Sequence, residues 1–367
     1  MRPIRIAVVG AGHLGRIHAR ILSGLNDFQL AGIVEPAEAS RREAAEHFAA
    51  PALAHHRELA GRIDAAVVAA PTSAHFAVAG ELLAQGVHVL VEKPLAANLA
   101  EADQLVQAAQ RFRCVLQVGH VERFNPLWTA ALPHLAPPSY LEATRSGPFS
   151  FRSTDIGVVL DLMIHDIDLA LSLVDSPLRR VEATGLALLG RHEDLASARL
   201  VFENGAVAQL TASRVSTTPT RTINIWSREC LASLDLAART GTLMRPSEAL
   251  RRGEFDLLRL TPEGRQDFKA HLGEHLAVQY LEAPPADAIT AELEDFARAI
   301  RTGSLPRVSG VHGRDAVAVA EDILARLRRP TASSSSPPAA QPLPSVIPGP
   351  HWLMKPARTA GEQREAG

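Results

Sequence analysis

The sequence lacks the features that mark several common functional classes. Only two cysteines occur, Cys114 and Cys230, and both lie in apolar segments, which favours free thiols over a disulfide and fits a reducing compartment. The formal net charge is −2, so no strong positive field is present to attract nucleic acid or an acidic membrane. No uninterrupted apolar run reaches the length of a transmembrane helix. We therefore expect a cytoplasmic protein whose partners include neither nucleic acid nor a membrane.

Signals for secretion and for metal binding are also missing. The N-terminus enters a predicted strand at once, so we expect no signal peptide. The 15 histidines form no HExxH or comparable ligand set, and His55 and His56 are adjacent rather than helically spaced, so we expect no metal site. What the chain has is length and apolar content: 367 residues, 46% of them hydrophobic, are enough for two domains with sizeable cores.

The first clear signal is the segment IRIAVVGAGHLGRIHAR at residues 4–20. It predicts a buried parallel strand, a G-x-G-x-x-G turn and a helix. Gly10 permits the tight turn, Gly12 lets a pyrophosphate approach the backbone, and Gly15 lets the helix pack closely on the strand. A plain glycine-rich turn is the alternative. However, strand, turn and helix follow in the order that dinucleotide binding requires, with the anion at the positive end of the helix.

A second predicted strand, residues 28–34, ends on Glu35, which is placed to accept hydrogen bonds from the ribose hydroxyl groups of an adenosine. Because a carboxylate there repels a 2′-phosphate, we expect NAD as the cofactor. Arg41 and Arg42 follow closely and could accommodate that phosphate, which keeps NADP as the second alternative. Within the glycine turn we also assign His13 and Leu14 to the cofactor site, with the His13 ring directed outward.

Apolar strands alternate with helices up to about residue 121, which predicts an α/β doubly wound parallel sheet in an NAD(P)-binding Rossmann domain over residues 1–123. Ligands bind such sheets at the carboxyl ends of the strands. Besides the glycine turn, this rule selects Thr72, His75, Glu92 and Lys93 for the cofactor site. The alternatives are that His75 caps its own helix and that Lys93 is an ordinary surface lysine.

The pattern changes after residue 123. Short alternating runs, one pair joined by Asn204-Gly205, predict a substrate and oligomerisation domain of α+β type with an open, mostly antiparallel sheet over residues 124–329. Two late helices, about residues 287–302 and 313–328, close this domain, and the Pro- and Ser-rich residues 330–367 predict a disordered tail. The predicted strands are residues 140–145, 180–188, 196–202, 206–213, 222–227, 231–236 and 255–260.

A largely apolar helix is predicted at residues 158–174, and its polar side chains indicate chemistry. They are Asp161, His165, Asp166, Asp168 and Ser172, and all of these except Asp166 recur at i, i+4, i+7 and i+11 and would form one narrow stripe. The wet face of an amphipathic helix is the ordinary explanation. However, the stripe contains no Lys, Arg or Glu, and the apolar sides of the helix leave little room for solvent. A buried aspartate and histidine one turn apart instead suit a general base held in position.

Together, the glycine motif, the Glu92-Lys93-Pro94 tripeptide and the Asp161/His165 pair resemble the glucose–fructose oxidoreductase, inositol dehydrogenase and rhizopine catabolism (GFO/IDH/MocA) family over about residues 4–328. The resemblance implies a Rossmann domain joined to an α/β domain whose open sheet is used in oligomer contacts, so we expect a homodimer or homotetramer. It also implies nicotinamide-dependent oxidation or reduction of a sugar or polyol. The usual catalytic triad of the family would fall on Lys93, Asp161 and His165.

Two longer strings, VGHVERFNP at residues 118–126 and DIGVVLDLMIHDID at residues 155–168, resemble the branch of this family that oxidises the 3-hydroxyl group of UDP-N-acetylglucosamine. That resemblance implies NAD as the oxidant and a partner aminotransferase that aminates the ketone for lipid A synthesis. Two alternatives stay open. One is a dehydrogenase of a free polyol such as inositol, and the other is a non-catalytic NAD-responsive binding protein.

A sugar nucleotide carries a diphosphate, so cationic contacts are expected at the site. Arg123, Arg145 and Arg152 flank it and could grip phosphate, although each taken alone is more often a surface arginine. In the expected mechanism His165 takes the proton of the sugar hydroxyl, Asp161 orients the imidazole or a sugar hydroxyl, and the lysine supports the oxygen as charge develops. Oxidation would then favour higher pH, because a protonated imidazole cannot accept this proton.

Overall fold

Strand β1 (Ile4–Val9) lies in the middle of a six-stranded sheet in the computed structural model, which describes residues 2–151 and 155–327. The other strands of this sheet are β2 (Phe28–Val34), β3 (Ala52–Leu53), β4 (Ala65–Val68), β5 (His88–Glu92) and β6 (Leu116–Gly119). Their order is β3-β2-β1-β4-β5-β6, and every neighbouring pair is parallel. The order reverses between β1 and β4, so a ligand crevice is expected at the carboxyl ends of these two strands.

Helices bury both faces of the first sheet. They include α1 (His13–Gly24), α2 (Glu38–His47), α3 (Thr72–Ala84) and α4 (Leu99–Phe112). Alternate residues of β1 point to opposite sides. Ile6 packs in a cluster with Leu22 of α1, whereas Ala7 packs in a second cluster with Leu82 of α3. Burial on both sides explains the unbroken apolar strands, and the predicted doubly wound parallel sheet is confirmed.

The second sheet has eight strands, and its open, mostly antiparallel character is confirmed. The strands are β7 (Tyr140–Ser146), β8 (Leu178–Leu186), β9 (Leu195–Phe202), β10 (Val207–Ser213), β11 (Thr220–Trp226), β12 (Leu231–Asp235), β13 (Thr240–Pro246) and β14 (Leu276–Glu282). Their order is β14-β13-β12-β11-β7-β10-β9-β8, and all neighbours are antiparallel except β7 and β10. The predicted Asn-Gly hairpin joins β9 to β10, with Gly205 at a φ of +86°.

Helices of the second half pack on one side of this sheet, and the last two of them also contact the first sheet. They are α5 (Pro126–Ala131), α6 (Ile164–Leu173), α7 (Glu248–Arg251), α8 (Pro262–Ala270), α9 (Leu272–His275), α10 (Ala288–Thr302) and α11 (Gly310–Leu327). Short 3₁₀ turns lie at His56–Leu59, Val121–Phe124, Leu132–His134 and Leu257–Arg259, and a π-helical turn lies at Val159–Met163. Helix α10 packs Leu293 and Phe296 into the core cluster of β1. Helix α11 contacts β6 of the first sheet and β8 of the second, and so connects the two sheets.

The strand predicted at residues 255–260 is wrong, because this segment holds a 3₁₀ turn instead. Phe255 of this segment packs in a local aromatic cluster. The centroid of its ring lies 4.5 Å from that of Phe268 and 5.9 Å from that of His275. The strands that follow β12 are instead β13 and β14. Neither was predicted from the sequence, because β13 contains a glycine and a proline and β14 is an exposed edge strand without alternating burial.

Three further predictions concern the chain as a whole. Cys114 and Cys230 are free thiols, as predicted. No helix within residues 2–151 and 155–327 combines the length and the apolar character needed to cross a lipid bilayer. The tail predicted at residues 330–367 lies outside the described residues.

Candidate active site

The glycine turn between β1 and α1 has the geometry that its three glycines predict. Gly10 has a φ of +103°, and a Cβ there would lie 2.5 Å from the carbonyl oxygen of Ala69. A Cβ on Gly15 would lie 1.8 Å from the carbonyl oxygen of Gly10. At Gly12, in contrast, a Cβ would meet nothing within 4 Å. Open space therefore faces the start of α1, which carries no acidic residue in its first turn, and this fits a pyrophosphate group.

Glu35 lies beside this turn, as predicted for a residue that binds the ribose. Its carboxylate accepts hydrogen bonds from the N–H groups of Ala11, at 2.9 Å, and Ala37, at 3.0 Å. Arg41 donates to two backbone carbonyl groups next to Glu35, and Arg42 pairs with an acid of its own helix. With a carboxylate at the turn and both arginines engaged elsewhere, the geometry fits NAD better than NADP.

A cavity of about 420 Å³ lies where the carboxyl edge of the first sheet meets β7, β11 and the π-helical turn. The predicted residues that line it are Leu14, Glu92, Lys93, Arg145, Asp161 and His165. Two larger cavities, of about 830 and 750 Å³, lie elsewhere, and neither is lined by a member of the predicted triad. The chemistry of the side chains, rather than cavity size, thus identifies the candidate active site.

Lys93 connects the two halves of this site. Its Nζ donates to the Asp161 carboxylate at 2.8 Å and to the Asp161 carbonyl oxygen at 2.6 Å. Asp161 lies on the π-helical turn Val159–Met163, directly before α6. A π turn departs from regular helical pairing and is frequent at functional sites. The two side chains are only 13% and 20% exposed, so water screens this ion pair weakly.

The π turn also corrects the predicted polar stripe, which assumed one regular helix over residues 158–174. Asp161 and His165 line the catalytic cavity, whereas Asp168 and Ser172 line the cavity of about 750 Å³ on another side of α6. Asp161 makes no hydrogen bond to His165 among the described residues, because its carboxylate is paired with Lys93. The predicted orientation of the imidazole by Asp161 is therefore not formed, and Asp161 holds the lysine instead.

His165 is an uncharged imidazole in this environment. Burial, together with the positive charges of Lys93, Arg145 and Arg221, holds the pKa of His165 well below its usual value of 6.5. Its Nδ1 has no hydrogen-bond partner within the described part of the chain. The edge of the His120 ring faces it, with centroids 6.1 Å apart, and burial lowers the pKa of His120 to about 3. Both rings are therefore neutral at physiological pH, and His165 is able to accept a proton.

Of the three arginines predicted to bind phosphate, none in the described residues offers an unengaged guanidinium at the pocket. Arg145 is buried and gives two hydrogen bonds to Asp166, at 2.7 and 3.1 Å, and one to Glu122, at 2.9 Å. Arg123 lines the separate cavity of about 750 Å³, 3.5 Å from Asp168. Arg152 lies outside the described residues. Arg145 is thus held in internal ion pairs, and Arg123 lies outside the catalytic cavity.

Arg221 lines the cavity from β11 and was not predicted from the sequence. In the pairing of β11 with β7, Arg221 stands directly opposite Arg145, a like-charge pair that is unfavourable by itself. Glu122 relieves the repulsion, since its carboxylate is 3.1 Å from the Arg221 guanidinium and 2.9 Å from that of Arg145. Only the register of two strands far apart in sequence brings these groups together, so no local motif could have indicated them.

The remaining predicted residues support the site from below or beside it. Glu92 pairs with His18 at 2.7 Å inside the core, although it also reaches the cavity wall. The His75 ring nitrogens lie 2.8 Å from the Pro94 carbonyl oxygen and 2.9 Å from that of Ala70, so this ring ties two loops together rather than capping its helix.

Two predicted residues and the question of a metal remain. Thr72 is buried at the first position of α3, and His13 is exposed at the start of α1, with its ring outward as expected. Within residues 2–151 and 155–327, one set of three side chains could hold a metal ion: His18, Glu92 and Glu292, whose ligand atoms lie within 4.8 Å of one another. The absence of a resident metal stays a prediction.

Comparison with known proteins gives matches along most of the chain. The family model described as "Oxidoreductase family, NAD-binding Rossmann fold" matches residues 4–120, and "GFO/IDH/MocA C-terminal domain" matches residues 134–229. A UDP-N-acetylglucosamine 3-dehydrogenase from Acidithiobacillus ferrooxidans is 36% identical over 322 residues, which cover 86% of this chain and 95% of that protein. A solved structure of an enzyme of that name from the same organism matches with a TM-score of 0.76 at 34% identity, over 89% of this chain and 98% of that chain.

Two other relatives show the breadth of the similarity. The myo-inositol 2-dehydrogenase of Thermotoga maritima is 26% identical over 341 residues, covering 86% of this chain and 93% of that protein. The WlbA dehydrogenase of Bordetella pertussis, solved in complex with NADH and UDP-GlcNAcA, has a TM-score of 0.71 at 19% identity, over 89% of this chain and 96% of that chain. At that identity the match shows a shared fold.

These matches confirm the predicted family, the NAD-binding Rossmann fold and the assignment as an enzyme. The matched relatives include dehydrogenases of an inositol and of a sugar nucleotide, and the chain accordingly oxidises the hydroxyl group of a sugar or sugar nucleotide. The protein belongs to the GFO/IDH/MocA family of NAD-dependent oxidoreductases.

Proposed function

We propose that this enzyme oxidises the 3-hydroxyl group of UDP-N-acetylglucosamine to a ketone, with NAD as the oxidant. The observation that carries the proposal is the Lys93–Asp161 pair beside His165 in one cavity at the carboxyl edge of the Rossmann sheet. The 36% identity to the Acidithiobacillus ferrooxidans enzyme, over 95% of its length, supports this substrate over a free polyol.

The cofactor fits the described residues of the first half. Open space at Gly12 and the uncapped start of α1 would receive the pyrophosphate, and Glu35 would accept hydrogen bonds from the adenosine ribose. Leu14 and Lys93 line the cavity where the reactive end would meet the substrate. NAD, when bound, accepts the hydride from the carbon that is oxidised.

The catalytic side chains divide the remaining work. The neutral imidazole of His165 removes the proton of the hydroxyl group as general base. Lys93 uses two of the three donors of its ammonium on Asp161, which leaves one to stabilise negative charge on the substrate oxygen. Asp161 holds this ammonium in place. The proton thus ends on His165, and the oxygen becomes a carbonyl.

The proposal is tested by supplying the enzyme and NAD with a panel of substrates and following NADH formation. The panel contains UDP-N-acetylglucosamine, UDP-glucose, free N-acetylglucosamine and myo-inositol. We expect efficient turnover of the first compound and its 3-keto product by mass spectrometry. Preference for myo-inositol would instead assign a polyol dehydrogenase. Tight NAD binding without turnover of any of the four compounds would overturn the proposed substrate and assign a sugar or sugar nucleotide outside this panel.

Partners and location are part of the same proposal. We propose a homodimer or homotetramer built on the open face of the second sheet, which the family resemblance implies is used in oligomer contacts. Light scattering coupled to size-exclusion chromatography would test the oligomeric state directly.

We further propose a cytoplasmic role in amino-sugar lipid A synthesis, in which an aminotransferase consumes the 3-ketone. Coupled turnover with such an aminotransferase and an amino donor would test that step.

A further inference from the structure

We infer that the cavity contains a nucleotide subsite in which Phe149 stacks on the base and Arg221 neutralises the diphosphate. The inference rests on the proposed sugar-nucleotide substrate and assigns two residues to its recognition. Both side chains line the same cavity as Lys93 and His165. A single elongated ligand can therefore contact the catalytic groups with its sugar and these two residues with its nucleotide.

Arg221 is the cation of the cavity whose charge can be redirected to a ligand. Lys93 is paired with the carboxylate of the π turn, and Arg145 makes three hydrogen bonds to two buried carboxylates. Arg214 is bound to one buried carboxylate at 2.6 Å and to a backbone carbonyl at 2.9 Å. Arg221 has a single ion-pair partner among the described residues, and its side chain is 47% exposed to the cavity and solvent.

Glu122 can release Arg221 without becoming an unpaired buried charge. Its carboxylate keeps the guanidinium of Arg145 at 2.9 Å and the side-chain amide of Asn125 at 3.1 Å. A diphosphate that draws Arg221 away therefore leaves Glu122 and Asp166 neutralised in part by Arg145, and the guanidinium offers the paired donors that suit phosphate oxygens.

Phe149 lies on a loop that is fixed to the neighbouring strand connection. The N–H of Gly147 donates to the Ser213 carbonyl at 3.0 Å, and the Gly147 carbonyl accepts from the N–H of Ser216 at 3.2 Å. The guanidinium carbon of Arg214 lies 5.6 Å from the centre of the Phe149 ring, and the Phe151 ring lies 4.9 Å from it at a steep angle, so two side chains fix the orientation of this ring. The half-buried ring on a fixed loop is a suitable platform for a planar base, which stacks on aromatic side chains.

The test measures UDP binding by calorimetry in the presence of saturating NAD, so that neither turnover nor the identity of the sugar enters the result. We expect Arg221→Gln to weaken UDP binding by about 10- to 100-fold, the range for hydrogen bonds to a charged group. Phe149→Leu should weaken it by about tenfold, through lost stacking. The matched controls are Arg199→Gln on the exposed face of β9 and Phe112→Leu on α4, whose side chain is 39% exposed and does not line the cavity; both should bind UDP like the wild type.

Each variant must also bind NAD normally, which shows that it is folded. If wild-type enzyme with NAD bound fails to bind UDP, the subsite is overturned, even where a free sugar is oxidised. The subsite is equally overturned if Arg221→Gln and Phe149→Leu bind UDP no more weakly than their controls. If UDP binding depends on both residues but UDP-N-acetylglucosamine is not oxidised, the subsite stands and the proposed sugar is wrong.

Discussion

Two buried cation–carboxylate clusters lie in the same cavity and differ in how completely their charges are satisfied. Arg145 gives three hydrogen bonds to two carboxylates and is 4% exposed. Lys93 is bound to one residue and keeps a donor for a substrate oxygen. The difference indicates that a cation is available to a ligand when its charge is not already matched by several carboxylates: two carboxylates face Arg145, whereas one faces Lys93. On this account Arg145 serves stability and Lys93 serves chemistry.

The largest effect is expected at the group that accepts the proton. His165→Ala should lower kcat by about 10²- to 10⁴-fold, the usual contribution of a general base. The dissociation constant of NAD should stay within about twofold, because the glycine turn is unchanged. Steady-state kinetics and NAD titration measure the two quantities. Wild-type turnover in this variant would remove His165 from the mechanism.

Lys93→Met tests whether Lys93 contributes to turnover more than to stability. It should lower kcat by about 10²- to 10³-fold, the typical cost of losing one preorganised donor to a developing oxyanion. Its unfolding free energy should fall by less than that of Arg145→Met, because the carboxylate left behind, Asp161, is 20% exposed, whereas Glu122 and Asp166 are each 4% exposed. Steady-state kinetics measure the loss of kcat, and urea unfolding measures the change in the unfolding free energy. A variant that unfolds easily yet turns over normally once folded would reverse the assignment.

Arg145→Met tests the other cluster. Removing this guanidinium leaves Asp166 and Glu122 buried with too little positive charge, so the unfolding free energy should fall by about 3–5 kcal/mol. Turnover per folded molecule should fall far less than in Lys93→Met. Full stability with a large loss of turnover would show that Arg145 is a catalytic contact after all.

The pH dependence of the reaction reports on His165. Because burial and nearby cations hold its pKa well below 6.5, the imidazole stays neutral through neutral pH, and the acid limb of kcat/KM should lie below 6.5. Oxidation therefore gains little from higher pH in the neutral range, contrary to the expectation for an unperturbed histidine.

A bound diphosphate near Arg221 adds negative charge, which raises the pKa of His165 in the enzyme–substrate complex. The acid limb of kcat should therefore lie at higher pH than that of kcat/KM. The two limbs in the reverse order would contradict this placement of the diphosphate.

The smallest effect is expected below the site, at Glu292. Burial first, and then the charges of Glu92 and two further acids, raise the pKa of Glu292 well above its usual 4.5, and both its carboxylate oxygens lack a partner among the described residues. The folded chain therefore keeps a proton that the unfolded chain releases, and the contribution of Glu292 to stability decreases as pH rises above 4.5. Glu292→Gln should become more stable than wild type as pH increases, as measured by urea unfolding. A stability difference that is independent of pH would show that Glu292 is ionised in the folded state.

The sequence predicted those parts of the site whose residues are neighbours along the chain. Gly10, Gly15 and Glu35 follow a fixed spacing, and their geometry depends on one strand, one turn and one helix. Lys93 and His165 were found through short motifs and a family resemblance, and the structure places both in one cavity. The parallel, doubly wound character of the first sheet was predicted for a similar reason, since its strands alternate with helices.

The features that the sequence did not reveal depend on contacts between distant segments. The pairing of Arg221 with Glu122 needs the register of β11 on β7, and the capture of Asp161 by Lys93 needs a π turn that helical spacing does not indicate. Arg145 was predicted as a phosphate contact because its charge was visible and its two buried partners were not. Charge in the sequence indicates a candidate, and only the neighbours decide what it binds.

The most direct test of the central claim follows the hydrogen on carbon 3 of the sugar. UDP-N-acetylglucosamine carrying deuterium at that carbon is incubated with the enzyme and NAD, and the reduced cofactor is examined by mass spectrometry. We expect the deuterium to appear in the reduced cofactor and to be lost from the sugar, and we expect the rate of both changes to fall in Lys93→Met and His165→Ala by the same factors as kcat. Reduced cofactor without deuterium, or a sugar that keeps it, would contradict oxidation at this position.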